Sequence, residues 1–446
     1  MLKHLKPRSI AAAVVSTLLL QGGAAHALGL RQAFEAALQN DPVFRSAFYE
    51  RQAGKENEKI GVAGLLPALS ANYSASKNVA DTTTSTVVGD QVLHPKYNSR
   101  VAALQLRQAV FNLDGWARYR QGQAQSAYSA AQFDVQQQEL VTRLTAAYID
   151  ALFAEDQVAL ATAQRDTLTE QRKVNDRMFQ RGEGTRTDML ETQSKLDAAA
   201  AQLLEAEDNR VNTRTVLGAI IGMEVTSLDG LTSDFRIMPQ AEGGLEEWKR
   251  RAVENNPELR AQKFAIEAAR QEMNKNRAGH APRVDFIASY NKTTAETINT
   301  YNQDSTVRSI GVQVSIPLYS GGGVSASTRQ SAAALEKAKS DFDAKSNTVL
   351  TELRKQYNVV ISSAAKIAAN GKAVESAELL TVATEQSIKG GVRINLDLLN
   401  ARQQLFASKR DLAQARYNYL TGVLRLRSAA GVLGPADVNE IALYFR

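Results

Sequence analysis

Two long stretches of the chain place apolar residues at intervals of three and four, which is the spacing of one face of an α-helix. The positions are Leu140, Leu144, Ala147, Ala151 and Val158 in the first stretch, and Leu335, Ala338, Phe342, Val349, Leu353, Tyr357, Val360, Ala364 and Ile367 in the second. None of the nine prolines falls within either stretch. The pattern predicts helices over residues 116–180 and 324–388, the first about 97 Å long. Asn370-Gly371 is expected to weaken the second.

Four shorter segments alternate between apolar and polar residues, the period of a β-strand with two different faces. The most regular one sets Ile310, Val312, Val314, Ile316 and Leu318 against Ser309, Gly311, Gln313 and Ser315. The alternation predicts strands at about residues 67–77, 97–111, 282–292 and 308–319. Polar loops over residues 78–96 and 295–308 join them in pairs.

The order of these elements occurs twice, so the chain contains two similar halves. Leu30, Asn40, Pro42, Arg45 and Pro67 recur 215 residues later as Leu245, Asn255, Pro257, Arg260 and Pro282. Shorter helices are predicted at about residues 41–65 and 188–222, and again at 257–279 and 396–430. We expect a first repeat over residues 28–235 and a second over 236–446.

Each long helix is predicted to end at a turn that contains two glycines. These are Gly182 and Gly184 in the first half and Gly390 and Gly391 in the second. Glycine just past a helix end adopts the left-handed conformation without steric penalty. Each half is therefore predicted to contain a long helical hairpin.

The first 27 residues have the parts of a secretory signal peptide, with a basic start, an apolar run of eleven residues and Ala25-His26-Ala27 as the cleavage site. No later stretch is long and apolar enough for a transmembrane helix, so any membrane segment would have to be a strand. Strands with one apolar and one small-polar face are typical of transmembrane barrels. A half-buried sheet in a water-soluble protein has the same period. Four strands cannot close a barrel, so a barrel would have to be shared between copies.

Composition removes several classes of function. The net charge of +6 falls to +3 once Lys3, Lys6 and Arg8 are lost with the signal, and no stripe of clustered cations is visible, so no nucleic-acid partner is predicted. The absence of cysteine excludes disulfides, thiolate metal sites and a lipidated N-terminal cysteine. No catalytic or nucleotide-binding motif is present. The chain is expected not to be an enzyme and to use no cofactor or metal.

Two repeats of short helix, strand pair, very long helix, glycine turn and helix resemble the TolC-like outer-membrane factors (outer membrane efflux proteins). Residues 109–115 and 316–322 resemble the strand-to-helix turns of that family, and they contain Gly115, Pro317, Gly321 and Gly322. Residues 184–190 and 391–399 resemble its helix-tip turns. The resemblance implies a mixed α and β membrane protein that trimerises, with a shared 12-stranded β-barrel and a periplasmic α-helical barrel.

The resemblance also implies roles for residues at the hairpin tips, where polar links between neighbouring hairpins close the periplasmic entrance of the family. Arg393 falls at the position of the lock arginine and faces Thr187 and Asp188 of the first tip. Asp397 falls at the position of a constriction acid.

This sequence departs from the family pattern at two of these tip positions. Ile388 stands where the family's archetype has a lock tyrosine, and Asn400 stands where it has a second constriction acid. We therefore expect an entrance that is less cation-selective and less tightly shut.

The two acids at the tips also have a simpler interpretation. Asp188 and Asp397 both lie near the start of a predicted helix, where a carboxylate can cap exposed backbone N–H groups. Arg393 has no such capping role, because a positive charge is unfavourable at a helix N-terminus. Arg393 therefore favours a link to a partner elsewhere.

As a member of this family, the chain would be a passive exit duct in the outer membrane of a Gram-negative bacterium, extending into the periplasm. It would dock on a periplasmic adaptor protein and on an inner-membrane ABC transporter or other pump. Resemblance of residues 181–188 and the missing anchor cysteine favour type I secretion of an unfolded polypeptide. The alternatives are a small-molecule efflux pump and, more distantly, a secreted structural coiled-coil protein.

Overall fold

The computed structural model describes residues 27–232, 234–238, 244–295 and 303–446. Apart from Ala27, the predicted signal peptide (1–27) lies outside the described residues, as does part of the predicted loop 295–308. Within the described ranges, no helix combines the length and hydropathy that crossing a membrane requires.

Helices dominate the described residues, and the two longest are almost equal in length. They are α1 (Leu30–Asn40), α2 (Pro42–Ala63), α3 (Leu113–Gln180), α4 (Arg186–Ile221), α5 (Gly244–Asn255), α6 (Pro257–Arg277), α7 (Gly323–Lys389), α8 (Asn395–Ala429) and α9 (Pro435–Ala442). A 3-10 turn at Ala278–His280 follows α6. The expected weakness at Asn370-Gly371 is absent, because α7 runs through both residues and the Asn370 amide donates to the Asp411 carbonyl of α8 at 3.0 Å.

The long helices α3 and α7 pack against one set of helices toward the strands and another set toward the hairpin tips. Helix α3 packs against α2 and α6 toward the strands, and against α4 and α8 toward the tips, while α7 packs against α6 and α8. Both long helices therefore take part in both sets of contacts. The contacts of α3 with α6 and α8 join the two halves of the chain.

Six strands are described, namely β1 (Ala68–Val79), β2 (Thr82–Thr86), β3 (Gly89–Leu93), β4 (Lys96–Phe111), β5 (Arg283–Ala295) and β6 (Gln303–Ser315). Four of them form one antiparallel sheet in the order β1-β4-β5-β6, and β2 and β3 form a separate hairpin. The central contact, β4 against β5, joins the two halves of the chain.

The strand predictions were wrong in two places. Residues 78–96 were expected to be a loop, but the threonine-rich segment Thr82–Thr86 pairs with β3, consistent with the strand preference of β-branched residues. Strand β6 was expected at 308–319, and it runs instead from Gln303 to Ser315, so it includes part of the expected loop 295–308. Ser315 pairs with Arg283, the first residue of β5, so the alternating residues beyond it have no ladder partner.

The apolar core lies in the middle of the long helices, where α1, α5 and α9 pack against α3, α7 and α8. Its largest fully buried side chains include Tyr148, Leu144, Leu217, Leu353 and Tyr417. The Tyr148 hydroxyl donates to the Leu28 carbonyl at 2.8 Å, which ties the segment before α1 to α3. This core fixes the level from which both helical hairpins project.

Candidate functional site

The two hairpin tips share one backbone geometry. Gly182 and Gly391 have φ angles of 76° and 73°, in the left-handed region. The residue after each glycine donates its N–H five residues back, Glu183 to Met178 and Val392 to Ser387, both at 2.9 Å. This is the glycine-terminated helix ending that satisfies the last carbonyls of a helix. The other predicted tip glycines, Gly184 and Gly390, are not left-handed.

Asp188 in the first tip is engaged as a helix cap. Its carboxylate accepts from the Thr185 N–H at 3.2 Å and the Thr185 hydroxyl at 2.5 Å, and Thr185 Oγ1 accepts from the Asp188 N–H at 3.1 Å. This reciprocal arrangement is a capping box. Thr187 lies beside it, exposed to solvent. The simpler interpretation of Asp188 therefore describes its contacts within one chain.

The structure does not bring Arg393 and Asp188 together within one chain. Arg393 is exposed and forms no ion pair with any described residue. Asp397 lies in the first turn of α8, half-buried, behind Ile394 as the N-cap residue. Ile388 is half-buried in the last turn of α7. An ion pair between Arg393 and Asp188 therefore requires a neighbouring copy or a different conformation of the chain.

Asn400 has a partner that the sequence did not suggest. The Lys195 ammonium of α4 donates to Asn400 Oδ1 at 2.9 Å and to Gln403 Oε1 at 3.1 Å. The position predicted to lack a constriction acid thus lies against a cation from the first half of the chain.

A buried polar cluster joins the two hairpins near their tips. Gln171 Nε2 donates to Asn395 Oδ1 at 2.7 Å, and Asn175 Nδ2 donates to Thr192 Oγ1 at 2.8 Å. Asn395 Nδ2 also donates to Thr192 Oγ1, at 3.3 Å. Thr192 and Asn175 are 0% and 5% exposed, so the hydrogen bond between them is protected from water, and the two bonds of Asn395 are partly buried. Leu168, Ala199 and Leu399 pack together as a small apolar cluster on the same helices.

Sequence reasoning missed this cluster, although the chain carries a signal for it. Asn175 lies seven residues after Leu168, and Thr192 lies seven residues before Ala199. A polar residue at a seven-residue repeat of apolar positions typically fixes the alignment of packed helices.

At the opposite ends of the long helices, the predicted strand-to-helix turns have two different structures. Gly115 lies inside the first turn of α3, where an added Cβ would come within 2.8 Å of Leu65 Cδ2. In the second half Gly321 and Gly322 are left-handed, with φ angles of 60° and 77°, and Gly322 is the N-cap of α7. Pro317 lies between β6 and this turn.

The sheet has one apolar face and one polar face. Leu69, Tyr73, Leu104 and Ile310 lie on the same face and are well exposed, Leu69 at 67% and Ile310 at 79%. On the other face, hydroxyl pairs join neighbouring strands at 2.6 Å, Ser76 to Ser99 and Ser289 to Ser309. No described residue of the same chain covers Leu69 or Ile310 on the apolar face.

The middle of the hairpins contains an acid with a perturbed pKa. Burial raises the pKa of the Asp156 carboxyl, the bond donated by the Tyr417 hydroxyl at 2.8 Å partly offsets this, and Glu155 raises it further while Arg416 lowers it. Burial likewise raises the pKa of the Tyr417 hydroxyl. The pair joins α3 to α8 and so links the two halves.

A family model described as outer membrane efflux protein matches residues 33–223 and 248–432, which covers both halves of the chain. The chain is 42% identical over 430 residues to the alkaline protease secretion protein AprF of Pseudomonas aeruginosa, covering 96% of this chain and 89% of that protein. It is 37% identical over 432 residues to the proteases secretion protein PrtF of Dickeya chrysanthemi, covering 96% and 94%.

The fold is shared with solved outer-membrane proteins. The crystal structure of the outer membrane protein VceC from Vibrio cholerae superposes with a TM-score of 0.78 at 16% identity, over 90% of this chain and 96% of that one. At this identity the likeness shows the fold alone.

Proposed function

Since the chain belongs to the outer membrane efflux protein family, we propose that it is the outer-membrane exit duct of a type I secretion system. It passes an unfolded polypeptide from an inner-membrane ABC transporter and a periplasmic adaptor to the outside. The observation that carries this proposal is the likeness to AprF and PrtF, whose names assign them to protease secretion and which match nearly the whole chain.

The working unit of the duct is a homotrimer. The sheet has four strands, and no described strand pairs with the outer edge of β1 or of β6. An open edge in lipid leaves backbone groups unsatisfied, so β6 of one copy pairs with β1 of the next. Three copies supply twelve strands to one barrel, with the exposed apolar face toward lipid. The repeats 28–235 and 236–446 then form equivalent parts of one wall, after removal of residues 1–27.

The hairpin tips form the periplasmic entrance and hold it shut. Within each copy, the cluster of Gln171, Asn175, Thr192 and Asn395 ties the first hairpin to α8. Between copies, the unpaired Arg393 reaches Thr187 and Asp188 of the neighbouring tip. Asp397 and Asn400 line the constriction that these links narrow.

A small-molecule efflux duct is the second candidate. Its support is the family description itself and the likeness to the outer membrane efflux protein BepC of Brucella suis, 27% identical over 435 residues. Both candidates require the same trimer, and they differ only in the cargo.

Two measurements test the function. Membrane fractionation should recover the protein in the outer membrane, extractable only with detergent, as a species three times the mass of one chain. Deleting the gene should remove one or more polypeptides from the culture medium while drug sensitivity stays unchanged. Increased drug sensitivity with an unchanged set of secreted proteins would replace secretion by efflux.

The entrance is tested by single-channel conductance in a planar bilayer. We expect Arg393→Ser to raise the closed-state conductance severalfold, because it removes the link between neighbouring copies. Arg181→Ser is the matched control, since it removes an exposed cation from the other tip, and it should leave conductance unchanged. A closed-state conductance that Arg393→Ser does not alter would rule out the lock.

A further inference from the structure

On the outward, apolar face of the sheet, the run of apolar residues on each strand ends at a cation. Lys77 follows Ala75 on β1, Arg100 precedes Ala102 on β4, Lys292 follows Tyr290 on β5, and Arg308 precedes Ile310 on β6. Each cation is two residues from its apolar neighbour, so both point to the same side of the sheet. All four strands therefore carry a cation on the same face where the apolar run ends, and Val79 is one further apolar residue beyond Lys77 on β1.

The strand register arranges these four cations in a diagonal. Arg308 pairs across from Tyr290, and Lys292 lies two residues beyond Tyr290 on β5. Lys292 pairs across from Ala102, with Arg100 two residues further on, and Arg100 pairs across from Ala75, with Lys77 two residues further on. We name these residues (Lys77, Arg100, Lys292 and Arg308) the cationic diagonal.

Successive members of the cationic diagonal are one strand and two residues apart, which sets their Cα atoms about 8 Å from each other. The position where the apolar run ends shifts by the same two residues from each strand to the next. Strands in transmembrane barrels are tilted, so a boundary that shifts from strand to strand is what a level band around the barrel requires. The cationic diagonal thus follows one edge of the apolar band.

The four cations are exposed and free to bind an anion. None of them forms an ion pair with a described residue. Arg308 lies over the Tyr290 ring at 5.6 Å, which keeps its charge on the outward face. Among the described strand residues, Asp304 is the one acid on this face, and Lys96 adds a further cation two positions beyond Asn98 on β4. The positive charge is therefore in clear excess.

The sequence showed no stripe of clustered cations, and that expectation was wrong for this surface. The four residues are scattered between positions 77 and 308, and only the strand register brings them together. They lie at the end of the sheet remote from the long helices, with Tyr73 and Tyr290 just inside them. Tyrosine is typical of the boundary between the apolar band and the headgroups.

We propose that the cationic diagonal binds the phosphate groups of an anionic glycolipid in the outer leaflet of the outer membrane. This rests on the proposed function, which puts the apolar band in that membrane with the long helices on its periplasmic side. Charge complementarity supports it: four unpaired cations at headgroup level meet phosphates held at the same depth. With three copies, twelve such cations would encircle the barrel and fix its height in the bilayer.

Binding of purified lipid A to the detergent-solubilised full-length trimer tests the proposal, with bound lipid counted by native mass spectrometry. Diphosphorylated lipid A should bind about tenfold more tightly to the wild type than to K77Q/R100Q/K292Q/R308Q, because each cation near an anionic headgroup adds to the attraction. The charge-conserving variant K77R/R100K/K292R/R308K is the matched control and should bind within about threefold of the wild type. Inorganic phosphate should not compete at equal concentration.

Equal affinity of the wild type and the glutamine variant would overturn the proposal, as would equal affinity for dephosphorylated lipid A. Competition by inorganic phosphate at equal concentration would also overturn it, by showing a site for the free ion. Outer-membrane recovery and conductance of the same variants keep the two proposals apart. If the glutamine variant inserts, conducts and binds lipid as the wild type does, the lipid site alone is refuted. If the wild type never enters the membrane, the exit-duct proposal is refuted.

Discussion

The two halves of the chain have nearly the same backbone but different side-chain contacts. Helices α3 and α7 contain 68 and 67 residues, and α4 and α8 contain 36 and 35. Both tips turn at a left-handed glycine with the same hydrogen bond. Equal helix lengths are required if the halves form equivalent parts of one wall. The side chains at the helix junctions are free to differ, and they do.

The junction before α2 and the junction before α6 show this difference. In the first half, the link to the preceding helix and the helix cap come from two different residues. The Asn40 amide donates to the Ile221 carbonyl at 2.9 Å, and Asp41 caps α2 by accepting from the Phe44 N–H at 3.1 Å. In the second half Asn256 alone provides both the link and the cap. Its Oδ1 accepts from the Leu259 N–H at 3.1 Å, and its Nδ2 donates to the Ala429 carbonyl at 2.9 Å.

The helix that faces each junction carries a different charge at the equivalent position. Asp41 is buried and forms an ion pair with Arg143 of α3. The residue 209 positions after Arg143 is Glu352, and it lines the same cleft as Asn256 and Glu258. An aspartate at position 256 would lie in a cleft that already contains several carboxylates, and no arginine stands at the position equivalent to Arg143. The two junctions therefore differ in charge because their neighbouring helices do.

The largest expected effect is a difference in the stability lost on alanine substitution at Gly431 and at Gly222, which lie at the ends of α8 and α4. Gly431 and Gly222 have φ angles of 72° and 74°, so alanine at either adopts a conformation that costs about 1–2 kcal/mol. At Gly431 the added Cβ would also lie 2.4 Å from the Asn256 Cα, whereas at Gly222 it would meet the Asn40 Cβ at 2.6 Å. The next nearest atoms at Gly431 are also backbone, at 2.5 Å, whereas at Gly222 they are Asn40 Cγ and Nδ2 at 2.9 and 3.3 Å, which a rotamer change can move. We expect Gly431→Ala to cost more than about 4 kcal/mol and Gly222→Ala clearly less.

Thermal unfolding of the detergent-solubilised protein measures both glycine variants. Gly391→Ala is the matched control, because its φ is 73° and an added Cβ meets nothing within 4 Å. It should show the conformational cost alone. A Gly431→Ala variant no less stable than this control would show that the second junction is not tightly packed.

The next effect sharpens the comparison of the two asparagines. Asn256→Ala removes a helix cap and a buried tie, and we expect it to cost about 2–3 kcal/mol. Asn40→Ala removes one tie at an exposed side chain and should cost about 1 kcal/mol. Asn256→Asp keeps the cap oxygen but cannot donate to Ala429, so it separates the two roles. Equal melting temperatures for Asn256→Ala and Asn40→Ala would contradict the double role of Asn256.

The helices and the tip turns could be read from the sequence, while the contacts between elements could not. Periodicity and the placement of glycine are local, so they predict α3, α7 and the turns at Gly182 and Gly391. The end of β6 depends on where β5 begins, and the cationic diagonal depends on the register of four strands. The lock prediction for Arg393 depends on a neighbouring copy, because within one chain Arg393 forms no ion pair with a described residue and Asp188 caps α4. Pairing between distant segments is the information that one sequence does not display.

The smallest expected effect concerns Asp156 and Tyr417, a link between the halves with no equivalent elsewhere, since the residue 209 positions after Asp156 is Ala365. Because burial raises the pKa of Asp156, the native state binds a proton more readily than the unfolded chain. Stability from this group is therefore present at low pH and is lost as pH rises from about 4 through the raised native pKa. Asp156→Asn keeps an acceptor for the Tyr417 hydroxyl and removes the titration. Relative to the wild type, its melting temperature should rise by about 1–2 °C between pH 4 and pH 7. Tyr417→Phe retains the buried carboxylate and is the control that should preserve the pH dependence. A difference between wild type and Asp156→Asn that does not change with pH would show that the pKa of Asp156 is not raised in the native state.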